Sequence, residues 1–350
     1  MIPDWIYISQ TAGTSGTTTI TVSAGTNYVT TMNIATMNVV NNEMFENVTI
    51  AQDGIDMSKQ YLTFEIISAG TINWCTSSLE ANISIEYSKD YGVSWTTINS
   101  YPSTSFNVSA GDVVYFRGDN PYGTVVDKVP SFFSGSTPVF RVCGNIMSLI
   151  SKTNFDSIYV LDNSHSGWTF SRLFSRCEGL IDAANLILPA TTLAPYCYGL
   201  LFQSCTTLTG VPKLPATEAA ERCYYYMFGD CPNLVQAPKI NLKTLAKGCC
   251  NSMFRDCTSL EIAPDLTATY LIEGCYSIMF MGCTNLKYVK CTATDGEPIP
   301  STYSQNSDYY CGGWVYDVSS SGTFIKKTGS TIDWESGTSG IPEGWTVQEI

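Results

Sequence analysis

A period of 26 residues, running from about Thr169 to Cys291, constrains this chain more than any local propensity. Cys197, Cys223, Cys249 and Cys275 stand 26 apart, as do Cys205, Cys231, Cys257 and Cys283, and Phe202, Phe228, Phe254 and Phe280. The full units read CYGLLFQSCTTLTGVPKLPATEAAER, CYYYMFGDCPNLVQAPKINLKTLAKG and CCNSMFRDCTSLEIAPDLTATYLIEG, and the half unit CYSIMFMGCTNLKYVKC closes the array. A 28-residue variant, TFSRLFSRCEGLIDAANLILPATTLAPY, opens it, with Thr169 in the first cysteine column. A fixed period of this length means stacked supersecondary units. Such stacks present broad repetitive surfaces and bind far more often than they catalyse.

Within each unit the segments LTGVPKL, LVQAPKI, LEIAPDL and LKYVKC read as extended. The proline there blocks a helix and suits a strand edge or bulge. The next segment, as in EAAERCYYYMF, has helical spacing, with Ala220, Cys223, Met227 and Phe228 on one apolar face. One strand and one helical segment per unit describe a leucine-rich-repeat variant, whose five strands at about 4.8 Å give a parallel sheet about 25 Å long. The fold class expected is therefore mainly β, with an N-terminal β-sandwich region followed by an α/β solenoid and a C-terminal cap. Fourteen cysteines raise the question of disulfides. Because most fall in the repeat columns, a ladder of small buried thiols is the preferred reading, although the C-x7-C spacing leaves room for the two columns to approach each other.

Outside the array, residues 1–51 read as short strands around a Gly/Ser/Thr turn, the sign of a hairpin. Residues 52–142 carry seven strand-like runs (YLTFEIIS, INWCTSS, NISIEYS, SWTTINS, TSFNVSA, DVVYFRG and PVFRVCG) with turn residues between them, which predicts a β-sandwich. Trp74 and Trp95 alternate with polar neighbours and are read as core. Residues 143–168 form the junction and first cap, 169–291 the repeats, and 292–350 a cap with Trp314, Trp334 and Trp345 among Gly, Ser and Pro turns. A stack of this kind needs such caps because its ends expose apolar surface.

Composition removes several function classes. Net charge is −13 with no basic patch, which argues against nucleic acid and against an anionic membrane surface. No run of 18 apolar residues exists, so no membrane insertion is expected. The N-terminus has no signal-peptide pattern, which is expected either of a protein not exported by that route or of one whose leader has been removed. His165, the single histidine, sits in the loop-like NSHSGW and makes a Cys–His nucleophile pair an unfavoured reading. No C-x-x-C pair or phosphate loop is present, and no cofactor or metal is expected. Asp53 with Asp56 is read as a solvated turn, because the spacing fits no calcium loop. The candidate binding residues are tyrosines: Tyr196, Tyr198, Tyr224, Tyr225, Tyr226 and Tyr276. Aromatic rings stack on sugars and anchor protein interfaces, and three consecutive tyrosines cannot all face inward on a helix.

Two resemblances follow from motifs. Pro3-Asp4-Trp5-Ile6, Ser9, Ala12-Gly13-Thr14-Ser15-Gly16 and Thr19-Ile20-Thr21-Val22 resemble the C-terminal half of a BACON domain, without that family's opening strands. An incomplete sheet of this kind implies an edge open to a partner strand. The array resembles the BspA-type leucine-rich repeats of Bacteroidetes and their phages, on Leu188–Ala194, Cys223–Phe228, Cys231, Leu234, Ala237-Pro238 and the ending Ser339-Gly340-Ile341-Pro342, Gly344-Trp345-Thr346-Val347. The third unit departs from it, with Asn241-Leu242-Lys243-Thr244 in place of LPAT.

What the resemblance implies is a non-enzymatic surface or adhesion protein. The first expectation is a phage virion appendage, such as a head or tail fibre or a decoration protein. Its N-terminal β region would join other virion proteins, and its repeats would meet a host surface protein or glycan. The second is a secreted or surface-anchored bacterial adhesin, and the last a glycan-active enzyme. Homo-oligomers are common among fibres, but no heptad pattern supports a coiled-coil stalk.

Overall fold

The computed structural model describes residues 6–8, 22–24, 33–41, 44–52, 56–79, 81–161, 167–297 and 306–350. The chain is mainly β, with several sheets and no barrel, and divides into two compact units, Met1–Gln60 and Tyr61–Ile350.

In the first unit, β1 (Ile6–Ile8) pairs antiparallel with β2 (Val22–Ala24), and β3 (Asn33–Asn41) with β4 (Met44–Gln52). Asp56 caps a short 3₁₀ turn, accepting from the Ser58 amide at 3.1 Å and the Ser58 hydroxyl at 2.6 Å. Asp53 and most of the residues behind the BACON-like resemblance lie outside the described residues.

The second unit opens with two sheets packed face to face. Its strands are β5 (Leu62–Ile66), β6 (Gly70–Thr76), β7 (Ser84–Ser88), β8 (Thr96–Asn99) and β9 (Thr104–Val108). They continue with β10 (Val113–Arg117), β11 (Val125–Val126), β12 (Val129–Phe132), β13 (Phe140–Asn145) and β14 (Leu180–Ile187). All seven expected runs are strands, and β11 and β12 are additions. The sheets have the orders β14-β13-β5-β10-β7-β8 and β11-β12-β6-β9. Phe64, Trp74, Phe116, Phe133 and Phe140 fill the space between them, with Phe64 centroids 4.7 to 4.8 Å from Phe116, Phe133 and Phe140. Trp74 is buried and donates to the Ile83 carbonyl, whereas Trp95 is half-buried beneath the Arg117 guanidinium, 3.8 Å from its ring centre.

Because β14 belongs to the first repeat and pairs in parallel with β13, the repeats grow directly from the edge of this sheet. Parallel bridges then link successive units: Asp182 to Gly210, Leu214 to Ile240, Gln236 to Ile262, and Ile262 to Tyr288. The continuous five-stranded sheet expected from the sequence does not form, and proline is the reason. Pro212, Pro238 and Pro264 occupy one column and offer no N–H to a ladder. Ala184 and Lys290 hold that column in the first and last units, and these two units do form regular strands, β14 and β16 (Tyr288–Cys291).

The expected helical segment is also corrected. Residues 196–205 and their counterparts form a ribbon of turns, and among the described residues the lone α-helix, α1 (Asn306–Cys311), lies in the tail. Alternate amides in the ribbon bond differently. The amides of Tyr196, Tyr198, Leu200, Phe202 and Ser204 donate to carbonyls 25 residues ahead, in the next unit, at 2.8 to 3.1 Å; those of Cys197, Gly199, Leu201, Gln203 and Cys205 donate three residues back. Every fourth residue takes positive φ, and side chains run two in and two out. The inward pairs are Cys223-Tyr224 and Met227-Phe228, and the outward pairs Tyr225-Tyr226 and Gly229-Asp230. A period of four over nine residues is nearly indistinguishable from a helical 3.6, which explains the misreading.

The inward pairs build the core. Phe174, Phe202, Phe228, Phe254 and Phe280 stack at 5.4 to 5.8 Å with planes within 14°. Phe133 continues this stack at one end and Trp314 at the other. Cys205, Cys231, Cys257 and Cys283 each direct a thiol at 3.0 to 3.2 Å to the phenylalanine carbonyl of the unit before. The tail takes over as the next rung: carbonyls of Tyr309, Tyr310, Gly312, Trp314 and Tyr316 accept from Gly274, Tyr276, Ile278, Phe280 and Gly282. Beside it, β16 pairs in parallel with β18 (Thr323–Lys326), and β18 with β19 (Thr346–Glu349), after a two-residue pairing of β15 (Tyr270–Leu271) with β17 (Asp295–Gly296).

All fourteen cysteines are free, and all but Cys75 are buried. Burial pushes the Cys197, Cys231 and Cys291 thiols up to about 12, leaving almost no thiolate at neutral pH. Alkylation of the native protein at pH 8 is therefore expected to label Cys75 ahead of all others, with the remaining thirteen reacting after denaturation. Disulfide-linked peptides in a non-reducing digest would contradict this.

Candidate ligand-binding surface

The outward columns of the turn ribbon carry the side chains that reach its surface. Tyr198, Tyr224 and Tyr276 are not among them. Each is 1 % exposed, at the second inward position, and their column runs Phe170, Tyr198, Tyr224, Cys250, Tyr276. Phe170, Tyr198 and Tyr224 stack at 6.1 to 6.3 Å, and Tyr276 lies 6.4 Å from Trp314. These three tyrosines are core, because the two-in, two-out pattern turns the first of the three consecutive tyrosines inward.

Tyr196, Tyr225 and Tyr226 are half-buried on the outward side. Trp168 lies parallel to Tyr196 with ring centres 4.2 Å apart, and Tyr225 meets Tyr196 edge-on at 6.3 Å. Arg222 sits between these rings. Its guanidinium carbon is 5.6 Å from the Tyr196 ring centre and 5.8 Å from that of Tyr225, and its Nη1 donates to the Tyr196 hydroxyl at 2.6 Å. Tyr226 donates to the Asp230 carboxylate at 3.1 Å, beneath Arg255. Burial, and then the Asp230 charge, push the Tyr226 phenol up, so it stays protonated as this donor. Gly229 is required here because a Cβ would collide with the Tyr226 ring. Gly199 leaves no side chain in the column between Ser171 and Tyr225.

Sequence reasoning missed Trp168, Arg172, Arg176 and Arg222. Three of these stand in or just before the 28-residue unit, where counting by 26 fails to align them with Tyr196, Leu200 and Ser204. Backbone hydrogen bonds spanning 27 residues in this unit, against 25 later, show the offset. His165 lies outside the described residues. Among the described residues, no three His, Cys, Asp or Glu side chains cluster as a metal site, and no helix is long and apolar enough to cross a membrane.

A separate groove of about 530 Å³ lies on the bridge-bearing side, lined by residues including Pro212, Pro238, Lys213 and Lys239. Its walls are mostly apolar, and no aromatic ring lines it.

No protein-family model, curated protein or solved structure matches this chain.

The ribbon holds strain. Twelve non-glycine residues from Trp168 to Ile278 have φ between 50° and 66°, a region costing about 1 kcal/mol or more for an L side chain. Arg176 is among them and is exposed. Arg176→Gly is expected to raise stability by about 0.5–1 kcal/mol in denaturant melts, and Arg176→Val to lower it. Inside the ribbon, the Tyr198 hydroxyl is buried without a partner. Tyr198→Phe is expected to stabilise by about 1 kcal/mol, measured in the same way; a loss would mean the hydroxyl is satisfied.

Proposed function

We propose that the stacked units are a BspA-type leucine-rich-repeat solenoid in which a turn ribbon replaces the helical segment. On this reading the protein is a non-enzymatic structural and attachment protein, carried as a head fibre, tail fibre or decoration protein of a phage virion. The observation that carries the binding role is the outward ribbon itself. Its half-buried Trp168, Tyr196, Arg222 and Tyr225 are fixed by rung-to-rung hydrogen bonds above a continuous aromatic core. Such a surface is preorganised, and preorganised aromatic and arginine side chains are the usual anchors of recognition. The N-terminal β region serves attachment to other virion proteins, and the repeats meet a host protein or glycan.

The free thiols favour the virion over an exported adhesin. Fourteen cysteines with no disulfide suit a chain that folds in a reducing compartment, as virion proteins do before release. A chain with this many thiols folding in an oxidising envelope would be exposed to mispairing.

Mass spectrometry of purified virions, alongside host envelope fractions, tests the assignment. Peptides from the repeats are expected in virions at a fixed ratio to the capsid protein. Their presence in the envelope fraction and absence from virions would overturn the virion assignment in favour of a bacterial surface adhesin.

A further inference from the structure

Four of the six arginines lie on the turn ribbon: Arg172, Arg176, Arg222 and Arg255. Arg255 is engaged, with Asp256 at 3.1 Å and the Tyr226 ring at 5.8 Å. The other three have no carboxylate partner among the described residues. Among the described residues, Arg172 and Arg176 have no side-chain hydrogen bond or ion pair, and Arg222 keeps a buried Nε without a partner. Asp230, on the same face, is already taken by Tyr226, Gln203 and Ser204.

This grouping is unusual in a chain of net charge −13, in which carboxylates outnumber cations. Burial, followed by the repulsion of Arg176, depresses the Arg172 pKa, with Tyr225 near enough to oppose the shift. A half-buried cation beside another cation is costly until an anion joins it. The rings complete the picture, since Arg222 lies against both Tyr196 and Tyr225.

We propose that Arg172, Arg176 and Arg222, with Tyr196 and Tyr225, form a binding site for an acidic saccharide. The ring-borne carboxylate or sulfate accepts from the guanidinia, and the C–H face of the sugar packs against Tyr225, while Tyr196, stacked on Trp168, holds Arg222 in place. An acidic peptide would satisfy the arginines but leave the Tyr225 ring without a matching flat face. The inference rests on the attachment-protein reading and names the class of ligand for that surface.

Calorimetry on the full chain with four probes tests it: an oligogalacturonate, its methyl ester, a sulfated glycosaminoglycan oligosaccharide and a polyglutamate of matched charge. At least one acidic saccharide is expected to bind. The identity of that saccharide separates carboxylate from sulfate. If it is the oligogalacturonate, the ester should be at least about tenfold weaker. The double variant Arg172→Gln/Arg176→Gln should lose at least about tenfold with its circular dichroism unchanged and its melting temperature no lower, and Tyr225→Ala should also weaken binding. Lys213→Gln/Lys239→Gln, which removes the same charge from the separate groove, should leave affinity within about twofold. Equal binding of ester and acid, polyglutamate binding as tight as the saccharide, equal loss from the lysine pair, or no binding of either acidic saccharide would each overturn the proposal. The virion mass spectrometry is unaffected by any of these outcomes, so the two readings fail separately.

Discussion

Everything beyond the first two sheets depends on the alternation of hydrogen bonds in the turn ribbon. Each rung gives half its amides to itself and half to the next rung. That division forces positive φ at every fourth residue and sends side chains inward and outward in pairs. The inward pairs have one neighbour above and one below, so identical residues meet in register. This is why phenylalanine recurs at a single position and its rings stack within a few degrees of parallel. It also explains cysteine, a residue small enough for the crowded positions of the ribbon that still carries a weak donor. The Phe202 carbonyl accepts both the Cys205 amide of its own rung and the Cys231 thiol of the next, so a buried acceptor is used twice.

The same constraint decides how the stack begins and ends. A rung with unpaired outward-going amides cannot be left against apolar surface. At the last repeat, the tail supplies carbonyls from Tyr309 to Tyr316 at the spacing the ribbon requires, and Trp314 covers the last phenylalanine. At the first, the two residues that lengthen the opening unit fall between Ala184 and Leu188, within β14, where the repeat needs a strand long enough to pair with β13. The irregular period is thus the signature of a junction between two kinds of sheet, and the unit that makes it carries Ala184 where the next three carry proline.

The columns of cysteine and phenylalanine were legible in the sequence because stacking imposes identity at a fixed period. So were the seven strands of the opening sheets, whose alternation follows from having one buried face. The local conformation of the ribbon was not, since apolar positions at 223, 224, 227 and 228 satisfy a helix and a period of four equally well. Nor were β11 and β12, which are too short to show a period, with Pro130 in the second. Of the tyrosines, only the in-or-out register separates Tyr224 from Tyr225, and that register is a property of the backbone alternation.

The placement of the arginines carries a last consequence. Positive φ is tolerated best by glycine, and the later units use it at Gly248, Gly274 and Gly282. The opening units place Trp168, Tyr196 and Arg222 in the column of Gly248 and Gly274, and Arg176 in that of Gly282, accepting backbone strain there, and Arg172 and Arg176 add like-charge repulsion. The later units keep positive φ at Ser252, Asp256 and Ile278, so the strain belongs to the ribbon as a whole; what they dispense with is the pair of neighbouring arginines. The like-charge repulsion, unlike the positive φ, is a cost that the stack does not require, and it falls on the opening units alone.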